Sequence, residues 1–199
     1  MVAWSVRTTS LRLNRKLQGL SHFFGQVGSL KDEPRRGWLL KLGLKNPESV
    51  ADHSYRLAIM AMVYGDLRGL DTLKMIRLAL LHDLPEALTG DVTPLETSRY
   101  ATKINEEQKA IEEIFQHLPS DLKKNYSDVW GEWSGKRTSE ARLVSQLDKL
   151  EMAIQATEYG KRGHSLEKLL EFFSSAEAAV TDKELRNLVR NIRESMLRR

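Results

Sequence analysis

An all-α, single-domain fold is predicted by three features of the 199-residue chain. Apolar residues recur at helical spacing along most of its length, and no segment shows the clean alternation of a half-buried strand. Helix-capping signatures stand in front of the apolar runs at Ser49–Asp52 and Thr181–Glu184. Five prolines, no repeat and no low-complexity tract leave no seam at which to divide the chain.

Taken in order, a first helix is expected over about residues 10–30, with Leu13, Leu17, Leu20, Phe24 and Val27 on one stripe. Residues 1–17 read as a basic N-terminal extension, and 18–199 as the domain. Asp32–Asn46 carries Pro34, Gly37 and Gly43 and reads as an irregular loop. Ser49-Val-Ala-Asp52 would open a helix running to about Tyr64. A second apolar helix is expected from Leu73 to Leu84, ended or kinked by Pro85, which has no N–H to donate. Gly90 and Pro94 mark the loop that follows, and residues 103–118 form an acid-rich amphipathic helix. A short helix is expected around Leu122–Trp133, and a long one over Ser139–Tyr159 closed by Gly160 as a left-handed cap. Two shorter helices finish the chain. The stripe Leu185, Leu188, Ile192 and Met196 of the last suits core or dimer packing.

Composition removes several function classes. Cysteine is absent, so there is no disulfide scaffold, thiolate metal site or cysteine nucleophile. A membrane span needs roughly 18 apolar residues, whereas the longest uncharged, mostly apolar run, Leu57–Gly65, has nine. The net charge of +4 is spread out and gives no focused nucleic-acid surface. The expected compartment is the cytoplasm. The acid-free start, with Arg7, Arg12 and Arg15, also has the composition of a transit peptide, which would make it organellar.

The residues that carry chemistry begin with His82-Asp83, which follows Leu78-Ala-Leu-Leu81 in an apolar context. A carboxylate withdrawn from water needs a cation or several donors. An adjacent His offers a neutral nitrogen beside the anionic oxygen, so a metal ion fits; so does an ordinary buried His–Asp pair. His53, in the first turn of the preceding helix, alone suits a partly buried histidine. Asp148 shares a helix face with Glu151, Gln155 and Tyr159, and that face alone suits solvent.

The order of these residues changes their meaning. His53, then His82-Asp83 29 residues on, then Asp148 65 residues after Asp83, resembles the HD-domain metal phosphohydrolases. Four segments sharpen the resemblance to the branch acting as 5′-deoxynucleotidases: Arg35-Arg-Gly-Trp38, Pro47 to Arg56, Leu81 to Asp91, and Leu147-Asp-Lys-Leu-Glu-Met152. It extends over roughly residues 18–175. The resemblance implies an HD-type helical bundle with a metal site at its centre, held by His53, His82, Asp83 and Asp148. Two imidazoles and two carboxylates suit Mn, Co, Zn or Fe, and Mg less comfortably.

The implied reaction is hydrolysis of 2′-deoxyribonucleoside 5′-monophosphates by a metal-bound water. Glu86 and Asp91 are implied as the catalytic carboxylates. Arg35, Arg36 and Trp38 are implied on the substrate side, with Trp38 crowding out a 2′-hydroxyl and Arg35 preferred over Arg36 for the phosphate. A homodimer is implied too, with no nucleic acid as partner. The alternatives are an HD phosphohydrolase acting on a cyclic nucleotide, a dNTP or an alarmone, and a non-catalytic sensor or nucleic-acid binder. His22, His117 and His164 have no comparable partners and receive no role.

Overall fold

A computed structural model describes the backbone of residues 2–198, with side chains described for residue 14 and residues 16–198. Helices α1 (Val2–Ser29), α2 (Arg36–Leu42), α3 (Val50–Arg68), α4 (Thr72–Leu81), α5 (Glu86–Thr89), α6 (Thr97–Phe115), α7 (Ser120–Gly135), α8 (Ser139–Lys161), α9 (Leu166–Ala179) and α10 (Lys183–Leu197) account for most of the described chain. The all-α expectation holds. Among the described residues the only β pairing is an isolated antiparallel bridge between Pro34 and Ser49. None of the helices searched is long and apolar enough to cross a membrane.

The core is built around α8. It packs against α3, α4, α9 and α10, and α3 packs extensively along α4. Leu57, Met75, Leu78, Ile114, Phe115, Leu147, Leu150, Tyr159, Leu169 and Phe173 are fully buried in one continuous cluster. The last helix contributes Leu185, Val189 and Met196 to it, so its apolar stripe is core.

Local signals place the helices that matter for the site. Ser49 and Asp52 form a reciprocal capping box, with Asp52 N–H donating to Ser49 Oγ and Ser49 N–H to Asp52 Oδ2. Beside it, Arg35 N–H donates to Glu48 O and Val50 N–H to Glu33 O. This short antiparallel contact fastens the start of α2 to the start of α3.

Several expectations are corrected. The stretch 32–46 is not all loop: α2 forms there, with Gly43 in the left-handed region as its cap. Helix α1 runs without a break through the boundary expected at 17/18. Its inward face carries Phe23, and Leu30 just past its end is also buried, while Leu17, Phe24 and Val27 of the expected stripe are exposed. Leu13 lies outside the described side chains. Helix α4 ends at Leu81, so His82 is its C-cap and not an interior residue. Gly160 is helical: an added Cβ would lie 3.1 Å from Met196 Sδ, so this glycine serves the close approach of α10. The cap of α10 is Asp182, one residue after Thr181, accepting from Glu184 and Leu185 N–H.

Candidate metal centre

Helix α3 brings His53 into the interior, the turn after α4 brings His82 and Asp83, and α8 brings Asp148. One donor atom from each of His53, His82 and Asp148 lies within 4.8 Å of the others. Asp83 joins them, its Oδ2 2.9 Å from His82 Nε2 and 3.9 Å from His53 Nε2. His53 Nε2 is 3.2 Å from Asp148 Oδ1. All four expected ligands therefore converge.

The hydrogen bonds on the far side of each ring fix what faces the cluster. His82 Nδ1 lies 2.7 Å from the Ala79 carbonyl, which can only accept, so Nδ1 carries the proton. His53 Nδ1 lies 2.5 Å from Glu151 Oε2. Both Nε2 atoms are left buried and without a hydrogen-bond partner, pointing at carboxylate oxygens. Lone pairs facing lone pairs require positive charge between them. In the protein alone a proton can supply it: burial and Arg35 oppose protonation of His53, yet Asp148 and Glu151 raise it to about 10. Against the effect of burial, His82, Arg35 and His53 hold Asp83 far below the usual carboxylate range. Asp148 is likewise held down against burial, by Lys149 and the two histidines. Orphaned imidazole nitrogens and ionised carboxylates fit a first-row divalent ion.

Around this cluster stand the remaining expected residues. Arg35 Nη1 donates to Asp83 Oδ2 at 3.1 Å, and among the described residues its guanidinium makes no other hydrogen bond. Glu86, at the start of α5, is buried; its Oε1 is 3.3 Å from Lys103 Nζ and its Oε2 has no partner. Burial, reinforced by Asp83 and Asp91, pushes Glu86 well above the usual carboxylate range. Asp91 is fixed from two directions. Its Oδ2 accepts from Arg36 N–H at 2.7 Å, and its own N–H donates to Glu33 Oε1. Gly90 at φ +70° makes this turn, and a Cβ there would lie 3.2 Å from the same Glu33 oxygen.

Two residues expected on the substrate side are engaged by the protein itself. The Arg36 guanidinium forms two hydrogen bonds with Glu96, which in turn accepts from Thr93 N–H, so it staples the loop after Asp91 and does not point into the cluster. Trp38 lies on the buried side of α2. It is 2% exposed, stacked on Phe172 at 4.1 Å and edge-on to Tyr159 at 5.0 Å, with Nε1 donating to Glu48 Oε1 at 2.9 Å.

Glu151, Arg56 and Lys103 receive no role from the sequence alone. Glu151 had a visible signal, one turn beyond Asp148 on the stripe expected to face solvent. That stripe is instead buried, with Asp148, Glu151, Gln155 and Tyr159 each under 10% exposed. Lys103 reaches Glu86 from α6 across a loop, and no local pattern announces it.

The family model for the HD domain matches residues 27–189. The human protein named 5′-deoxynucleotidase HDDC2 is 39% identical over 86% of this chain and 83% of its own. The Dictyostelium discoideum protein of the same name is 42% identical over 77% and 85%. Among solved structures, a conserved hypothetical protein from Pyrococcus furiosus superimposes with a TM-score of 0.69 at 34% identity, covering 86% of this chain and 98% of that one. A predicted metal-dependent phosphohydrolase from Magnetospirillum magnetotacticum gives 0.68 at 25% identity, covering 92% and 96%.

Proposed function

The chain belongs to the HD domain family, and from that premise we propose that it is a metal-dependent 5′-deoxynucleotidase. It hydrolyses 2′-deoxyribonucleoside 5′-monophosphates to deoxynucleoside and phosphate. The observation that carries the chemistry is the pair of buried, unpartnered Nε2 atoms of His53 and His82 facing Asp83 and Asp148. The names of the relatives support the substrate class.

His53, His82, Asp83 and Asp148 would hold the ion. When bound, such an ion polarises a phosphoryl oxygen and lowers the pKa of coordinated water to about 7. The chain's own residues do the rest. Arg35, with free guanidinium N–H groups beside Asp83, binds the phosphate and offsets the charge that builds on it. As a water oxygen bonds to phosphorus and gives up a proton to solvent, from which Glu86 is later reprotonated, the P–O5′ bond breaks. Glu86, kept protonated by burial and its acidic neighbours, gives its proton to the leaving O5′. Asp91, immobilised by Arg36 N–H and Glu33, orients the water or the sugar. Arg36 and Trp38 act on this side as supports of the loop and the core. The reading includes a homodimer in the cytoplasm, which sedimentation and fractionation would check.

The test is phosphate release across 5′-, 3′- and cyclic nucleotides and dNTPs, in ribo and deoxy forms, with Mn, Co, Zn, Fe and Mg. The expected substrates are the deoxyribonucleoside 5′-monophosphates. His82→Ala and Asp83→Ala should lose bound metal and activity together; full activity in either would refute the site.

A further inference from the structure

Glu151 stands outside the group that faces the ion, yet it is fully buried on α8, one turn beyond Asp148. Its two oxygens look in opposite directions. Oε2 lies 2.5 Å from His53 Nδ1, and Oε1 lies 2.9 Å from Arg56 Nε. Arg56, three residues after His53 on α3, also donates to Glu158 Oε1 at 2.7 Å and to Gln155 Oε1, and its Nη2 is 3.5 Å from Glu48 Oε2. Glu48 in turn accepts from the Trp38 indole. Donor atoms of Glu48, His53 and Glu151 come within 4.8 Å of one another, a spacing that could suit a second cation. The guanidinium of Arg56 already pairs with both carboxylates and takes that place.

We propose that Glu151, itself held by Arg56, is a positioning residue for His53. It keeps the proton on Nδ1 and locks the ring so that the Nε2 lone pair faces Asp148 and the ion. A carboxylate behind a ligating histidine fixes tautomer and orientation and makes the ring a stronger donor. The two histidines of the site are thereby held differently, His82 by the neutral Ala79 carbonyl and His53 by a charged side chain. A purely structural Arg56–Glu151 pair would explain the burial, but not why the second oxygen is spent on His53 Nδ1. The inference rests on His53 being a metal ligand, as proposed above.

Metal-free full-length protein is titrated with Co(II), affinity is read from the visible absorption of the bound ion, and melting is followed in parallel. Glu151→Ala is expected to weaken Co(II) binding about 10–100-fold. Glu151→Gln recovers part of this, because its amide oxygen still accepts from Nδ1. Arg56→Gln weakens binding by a smaller factor and carries the test if the Glu151→Ala protein does not fold. Phosphate release by these variants returns toward wild type as Co(II) is raised. Wild-type Co(II) affinity in the Glu151 and Arg56 variants, with His53→Ala impaired, overturns the inference and leaves the site standing, whatever happens to melting. Wild-type affinity in His53→Ala removes the metal reading itself.

Discussion

Replacing Trp38 by Phe separates a core role from a substrate role. The benzyl ring retains most of the contact with Phe172 and Tyr159 but has no N–H, so Glu48 Oε1 loses its donor. A buried acceptor left unsatisfied costs about 1–3 kcal/mol. For a chain of this size about 1 kcal/mol corresponds to roughly 2–4 °C in Tm, so a loss near 2 kcal/mol lowers Tm by roughly 4–8 °C. Denaturant unfolding and thermal melting of wild type and Trp38→Phe measure this directly. Steady-state kinetics on matched ribo- and deoxyribonucleotides supply the second reading. The expected result is a destabilised enzyme whose preference between the two sugars is unchanged. An unaltered Tm together with a shifted sugar preference would place the indole against substrate and refute the core assignment.

Arg35 and Arg36 should part company. Arg35→Ala removes a charge-assisted phosphate contact and should lower kcat/KM about 10–100-fold, while Arg36→Ala, whose guanidinium holds Glu96, should have a smaller effect; equal losses would contradict the placement. Glu48 gives a pH prediction. Burial, with Glu151 nearby, raises it from its ordinary 4.5 to about 7, so the folded state binds this proton more tightly than the unfolded state. Its contribution to stability is therefore full below about 4.5 and is lost as pH rises toward 7. Glu48→Gln keeps an acceptor for Trp38 and should gain stability relative to wild type between pH 5 and 7.5. Parallel denaturation curves with no change in that difference would refute it.

The helices were legible because their signals are local. The Ser49–Asp52 box, the acid-rich stretch of α6 and the apolar runs of α3 and α4 each need only a few neighbouring residues. The convergence of His53, His82, Asp83 and Asp148 was legible through chain order, since nothing around Asp148 distinguishes a buried carboxylate from a solvated one. What could not be read depends on tertiary contact. Helix α2 exists between a proline and a glycine because Trp38 buries itself against α8 and α9. Arg35 is the expected phosphate ligand, but what occupies the Arg36 guanidinium is Glu96, 60 residues away in sequence. The polar stripe of α8 looked solvated because its partners, His53 and Arg56, belong to another helix.

Helix α8 also joins parts of the chain that are far apart, His53 and Glu151 being 98 residues distant in sequence. An ion held, as proposed, by Asp148 on one side and by α3 and the α4–α5 turn on the other would act as a reversible cross-link across that long loop. Bound at a hundred times its Kd, it adds about 2.7 kcal/mol to stability by mass action. Removal of the ion would then be felt in melting temperature as well as in turnover.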